Sequence, residues 1–170
     1  GSVNVFKYWK NGTPNIIATS NTQNANFHHI TVSGYDVYIS GNEYDAANTF
    51  SRAVYYKNGI QIPLTNGPLN AYAWGNITVN GTDLYALGFV TNNSNINVAT
   101  YWKNGVETKL GDGINNSRLM DVFVKGSDIY LLGTFNNNSN IGVIKYWKNG
   151  IESVLTDGTF SAVGNAIFVQ

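Results

Sequence analysis

No cysteine occurs among the 170 residues, which removes disulfides, thiolate catalysis and the usual zinc clusters while leaving the compartment open. Charge is scarce as well: 12% of residues are charged, the formal net charge is zero, and Arg52 and Arg118 are the only guanidinium groups. Such a chain has little electrostatic grip on a phosphate backbone or an anionic lipid surface, so nucleic acid is not an expected partner. No apolar run approaches the roughly 18 to 20 residues that span a bilayer, so membrane insertion is not expected. Three prolines are present, and no stretch joins a 3.6-residue apolar period to helix caps, so helix should be almost absent.

Asparagine, threonine, serine and glycine supply the polar surface instead, a composition associated with exported proteins. The length gives room for one domain with a substantial core, so residues 1–170 are read as one unit. Gly1-Ser2 reads as a cloning scar, which would hide any upstream signal peptide.

The chain repeats itself. An aromatic pair followed by Lys-Asn-Gly occurs at Tyr8–Gly12, Tyr55–Gly59, Tyr101–Gly105 and Tyr146–Gly150, in steps of 47, 46 and 45 residues. Between these copies lies a second signature, Gly34-Tyr35-Asp36-Val37-Tyr38, Gly81-Thr82-Asp83-Leu84-Tyr85 and Gly126-Ser127-Asp128-Ile129-Tyr130, which occurs three times. Asn-Gly between β-prone flanks predicts a two-residue type I′ hairpin, because both central positions need positive φ. That hairpin joins Val98–Lys103 to Val106–Leu110, and Val143–Lys148 to Ile151–Leu155. The Gly-x-Asp segment likewise joins strands such as Asn76–Val79 and Leu84–Leu87.

Four antiparallel strands per repeat follow. The first two of each unit are apolar on both faces, as in Leu84-Tyr85-Ala86-Leu87, whereas a sandwich strand would alternate. Sheets buried on both faces arise where four-stranded blades stack radially, and repeats of about 40 to 50 residues are what such blades need. The expectation is an all-β fold: a β-propeller of four-stranded antiparallel blades of about 46 residues, three complete and a fourth split between the termini.

Tyr-Trp-Lys-Asn-Gly combined with Val-x-Gly-x-Asp-x-Tyr resembles the blade consensus of secreted β-propeller repeat proteins of Bacteroidetes-type bacteria. The resemblance covers nearly the whole chain and transfers no catalytic motif. It implies an extracellular, cell-surface or periplasmic location and a binding role.

Residues shared by all repeats serve the fold, so function is sought where equivalent positions differ. The Tyr/Trp pairs are read as packing residues, and Asp36, Asp83 and Asp128 as turn residues accepting backbone N–H bonds. Aligned on Ile30, Ile77, Val122 and Ile167, the preceding positions hold unlike residues. These starts of the innermost strands would ring one mouth of a central channel and present His28, His29, Trp74, Asn76, Arg118, Asp121 and Asn165. An aromatic face beside several hydrogen-bonding groups suits a glycan, and a protein partner is the alternative; the same residues could simply fill the mouth.

His28, His29 and Asp121 invite a metal, but adjacent strand residues point to opposite faces unless a bulge intervenes, so no metal or other cofactor is expected. No serine sits in a nucleophile elbow. A glycosidase needs two carboxylates about 5 to 10 Å apart, and only Glu43, Asp45 and Asp121 lack an obvious turn or exposed-strand role, the first two being assigned to an outer loop. The chain is therefore expected to be a binding module and not an enzyme, with a ligand-free structural segment of a larger propeller as the alternative and a glycan-active enzyme third. The Asn92–Asn95 and Asn136–Asn140 stretches read as solvated loops.

The termini do not complete the fourth unit. A third strand at Asn4–Lys10 and a fourth around Asn15–Ile17 open the chain, and a first strand at Ala162–Gln170 closes it, with no second strand between. An unpaired inner strand exposes backbone donors, so a homo-oligomer is expected, most simply a dimer in which incomplete units meet or exchange strands.

Overall fold

A computed structural model describes residues 4–20 and 24–170. Those residues form fifteen strands and no helix, all strand pairs being antiparallel. A two-stranded hairpin, β1 (Asn4–Lys10) and β2 (Thr13–Ser20), is followed by three meandering sheets. The first runs β3 (Ala25–Ser33), β4 (Asp36–Tyr44), β5 (Ser51–Lys57) and β6 (Ile60–Pro63). In the second, β7 (Ala71–Tyr72) and β8 (Ile77–Asn80) both pair with β9 (Asp83–Thr91), which continues to β10 (Asn97–Lys103) and β11 (Val106–Lys109). The third runs β12 (Ser117–Lys125), β13 (Asp128–Asn136), β14 (Gly142–Lys148) and β15 (Ile151–Val154).

Local sequence sets the hairpin ends. Asn11, Asn58, Asn104 and Asn149 have φ of 50 to 51°, and the glycines after them 79 to 84°, the paired positive angles of type I′ turns. Gly34, Gly81 and Gly126 supply the single positive φ of the other turns, at 59 to 60°.

The middle strands are buried on both faces, and in β9 every residue from Leu84 to Val90 is buried. Alternation then divides the contacts. Leu84, Ala86 and Val90 join Tyr38, Ala53, Ile77 and Trp102 in a core shared with the first sheet. Tyr85 and Leu87 join Leu119, Val122, Leu131 and Trp147 in a core shared with the third. A smaller cluster of Ile17, Val37, Ile39, Val54 and Tyr56 seats the β1–β2 hairpin on the first sheet. The sheets therefore stack in chain order.

Two expectations need correction. Ala162–Gln170 is not a strand: the segment forms no ladder with the described strands and is held instead by single hydrogen bonds, Ala162 N donating to Gly142 O at 2.9 Å and Ile167 N to Asp121 Oδ2 at 2.7 Å. The aspartates of the Gly-x-Asp turns do not accept backbone N–H groups. Asp83 instead accepts from Asn104 Nδ2 at 2.8 Å, Lys103 Nζ at 2.7 Å and Tyr85 Oη at 3.4 Å, while Asn104 Oδ1 accepts from Leu84 N at 2.8 Å. Asp36 and Asp128 make the same set with Lys57, Asn58 and Tyr38, and with Lys148, Asn149 and Tyr130. The two repeated motifs thus form one latch across the second and third strands of each sheet.

Candidate functional site

The first strand of each sheet crosses a glycine of the second. A Cβ on Gly88 would stand 1.8 Å from Tyr72 O, and one on Gly133 2.5 Å from Arg118 O, so the first strand lies where a side chain should be. The strand yields at that crossing. In the first sheet Phe27 pairs with Gly41 and His29 with Ser40, leaving His28 in a bulge; in the third, Met120 is bulged between Leu119 and Asp121; in the second the strand breaks into β7 and β8. The bulge that would break strict alternation between His28 and His29 is therefore present, with His28 in it and His29 paired to Ser40.

Five of the seven candidate residues meet here in a row across the sheets. The His28 ring stacks on Trp74, with centroids 5.3 Å apart and planes 8° from parallel, and its Nε2 lies 3.3 Å from Asn42 Oδ1. His29 is held below its ordinary pKa, first by burial and then by the neighbouring His28, against an opposing pull from Asp121 and a hydrogen bond with the Trp74 backbone. Asn76 N donates to Met120 O at 2.8 Å, and Asn76 Nδ2 to Asp121 Oδ1 at 2.7 Å. Asp121 Oδ1 also accepts from Val122 N at 2.9 Å, and Oδ2 from Ile167 N at 2.7 Å. This row ties each unit to the next, down to the C-terminal segment.

The three carboxylates singled out as uncommitted are all engaged. Glu43 lies in β4, where it accepts hydrogen bonds from Tyr56 Oη and Gln61 Nε2, and burial with this carboxylate beside it pushes the Tyr56 phenol up. Asp45 accepts from Thr49 N at 2.6 Å, Thr49 Oγ1 at 2.6 Å and Phe50 N at 3.1 Å. Asp121 is bound on both oxygens, as above.

Trp74 is 45% exposed. It lies 6.2 Å from Phe89, which in turn packs 4.9 Å from Tyr72. Trp74, Phe89 and Arg118 line a cleft of about 250 Å³ between the second and third sheets, together with Asn97, Asn116, Thr134, Asn136, Asn140 and Ser161. Arg118 is exposed and makes no ion pair among the described residues. Asn165 is exposed on the C-terminal segment and does not line this cleft. A larger cleft of about 380 Å³ is lined by β12–β15 and the loop residues Asp112, Asn115, Asn137 and Asn138, but its charged groups are occupied: Lys145 by Glu152 at 2.8 Å, Asp112 by the N–H groups of Ile114 and Asn115.

Of the residues lining this cleft, alignment of the repeats had singled out Trp74 and Arg118 and not Phe89, Asn136 or Asn140. Asn136 is the last residue of β13, and Asn140 lies in a loop that, like its counterpart at Asn92–Asn95, is more ordered than solvated polar sequence suggests. Asn92 Oδ1 accepts from Ser94 N and Ile96 N, Asn137 Oδ1 from Ser139 N and Ile141 N, and Asn95 and Asn140 take φ near 58°. The signal available was recurrence of Asn-x-Ser-Asn at one place in two repeats. Comparison with protein-family models, curated proteins and solved structures finds no match to this chain.

Proposed function

We propose that the chain is a noncatalytic binding module of an exported protein, built as a β-propeller or an arc of one, that takes a glycan into the cleft beside Trp74. The propeller reading is supported by the repeat length, by four-stranded meanders each covering the last, and by the likeness to secreted propeller repeats. The observation that carries the binding reading is the composition of the cleft. The exposed indole of Trp74, with the buried Phe89 behind it, offers an apolar wall for sugar C–H groups, while Arg118 and four asparagines offer paired donors and acceptors for hydroxyls. A cleft of this size suits one or two sugar rings and no larger body.

The test is a glycan array followed by calorimetry on a hit. Trp74→Ala and Arg118→Ala are expected each to weaken binding at least about tenfold while the thermal melt is kept, since both side chains are solvent-exposed. Absence of binding across neutral and acidic glycans, or binding that survives both substitutions, rejects the reading.

A further inference from the structure

We infer that Asn66 is a modification site, at which the side-chain amide is lost spontaneously to give aspartate and isoaspartate, and that the fold protects the asparagines of the latches from the same chemistry. Asn-Gly pairs occur at Asn11, Asn58, Asn66, Asn80, Asn104 and Asn149. Glycine after asparagine leaves the next backbone nitrogen unshielded by any Cβ. In the reaction Gly67 N gives its proton to water or a buffer base and attacks Asn66 Cγ. The new N–C bond closes a five-membered imide, and the side-chain nitrogen takes up a proton and leaves as ammonia. Water then opens the ring at either carbonyl, giving aspartate or, with the main chain rerouted through the side chain, isoaspartate. Nothing is oxidised or reduced, and water is the only co-reactant consumed.

Restraint separates these pairs. In Asn58, Asn104 and Asn149 both ends of the amide are held: Oδ1 accepts from the N–H of Val37, Leu84 or Ile129 at 2.8 to 2.9 Å, and Nδ2 donates to the latch aspartate at 2.7 to 2.8 Å. Asn11 shares their turn geometry, and Asn80 Nδ2 donates to Gly126 O at 3.3 Å. Asn66 is exposed, has no positive φ, and its side chain makes no hydrogen bond among the described residues. The other repeats show the cause. Leu64, Leu110 and Leu155 donate to Ala53, Ala99 and Ile144 O at 2.8 to 2.9 Å, which aligns Asn66-Gly67-Pro68 with Asp112-Gly113-Ile114 and Asp157-Gly158-Thr159. Asp112 accepts from Ile114 N at 2.8 Å and Asp157 from Thr159 N at 2.9 Å, with Gly113 and Gly158 at φ 74° and 76°. Pro68 has no N–H to give, and the residue before a proline is pushed toward extended conformations, so Gly67 takes no positive φ and Asn66 is left uncapped. Thr65 Oγ1 accepts from Ala53 N at 3.1 Å and Asn70 Oδ1 from Ser51 N at 2.8 Å, so the loop is clipped on either side and the change stays within its exposed part.

The experiment incubates the whole chain in mildly alkaline buffer, which favours loss of the Gly67 amide proton, and follows each Asn-Gly pair by peptide mass spectrometry, with enzymatic methylation of isoaspartate as a second readout. Asn66 is expected to convert at least about tenfold faster than Asn58, Asn104 or Asn149, which react only when their hairpins open. In denaturant that gap should close. Pro68→Thr, which restores the N–H present at Thr159, should slow conversion of Asn66 at least about threefold while the chain stays folded. Conversion of a latch asparagine as fast as Asn66 in the native protein would overturn the inference. So would a preference for Asn66 that persists in denaturant, which would trace it to local sequence alone, or an unchanged rate in Pro68→Thr.

Discussion

At the scale of single residues the repeats act as internal replicates. Gly105 has φ 82° and no atom within 4 Å of an added Cβ, so the cost of replacing it is conformational alone. Gly105→Val should destabilise the protein by about 1 kcal/mol or more in chemical denaturation, because a β-branched residue resists positive φ. An unchanged midpoint would remove the type I′ assignment. Asn104→Ala should cost about 1 to 2 kcal/mol, since it strips the partners from Leu84 N and Asp83 together. The latch also fixes a pH window. Hydrogen bonds from Lys103, then Asn104, hold the Asp83 carboxyl below 3.8, and Asp83 holds Lys103 above 10.5. The contribution of the aspartate is therefore complete above about pH 4 and fades as pH falls through its lowered value. That of the lysine is complete below about pH 10.5 and fades as pH rises through its raised value. Denaturation midpoints followed against pH should lose part of both limbs in Asp83→Asn. His29, kept below its ordinary 6.5 chiefly by burial, adds a separate loss as pH falls from 6.5 toward its lowered value, absent in His29→Gln.

At the scale of elements, legibility followed the length over which a signal acts. The Asn-Gly and Gly-x-Asp hairpins were readable because a turn's φ requirements are met within two residues. Burial of β9 and β13 on both faces was readable from the apolar runs Leu84–Leu87 and Ile129–Leu132, whereas that of β4, which takes in Ser40 and Asn42, was not. The first strands, expected to be covered on both faces as well, are only partly buried. The course of β3, β7–β8 and β12 was not readable, because it is dictated by a glycine on another strand: Gly41, Gly88 and Gly133 make room for a backbone that then has to bulge or break. For the same reason alignment could locate His28, His29, Asn76 and Asp121 but not their directions, and Asp121 proved to be a tie between sheets. Copies of one element should differ in energy as their surroundings differ. Trp102→Ala is expected to cost about 3 to 5 kcal/mol, whereas Trp9→Ala should stay within about 0.5 kcal/mol. Comparable costs at both positions would mean that Trp9 is covered in the folded protein.

At the scale of the molecule, the order of packing makes stability a sum of neighbours. The second sheet has a core on each face, the first and third are each backed by a neighbour of four or more strands on one side, and the β1–β2 hairpin rests on one small cluster. In a stack of this kind the middle opens only when the whole array opens, while the ends fray on their own. Amides of Leu84–Val90 should therefore exchange only through global unfolding, and those of β1 and β2 by a cheaper local route. Within Ala162–Gln170, protection should be confined to Ala162, Gly164 and Ile167, whose N–H groups are bound to Gly142 O, Thr134 Oγ1 and Asp121 Oδ2. Leu87→Ala should lower the global free energy by about 2 to 5 kcal/mol and speed exchange in every sheet, whereas Ile16→Ala, at a position 57% exposed, should alter the hairpin alone. Hydrogen exchange followed against denaturant distinguishes the two routes. If β1 were as protected as β9 and responded equally to Leu87→Ala, the ends of the stack would be joined in one cooperative structure, and the linear account would be wrong.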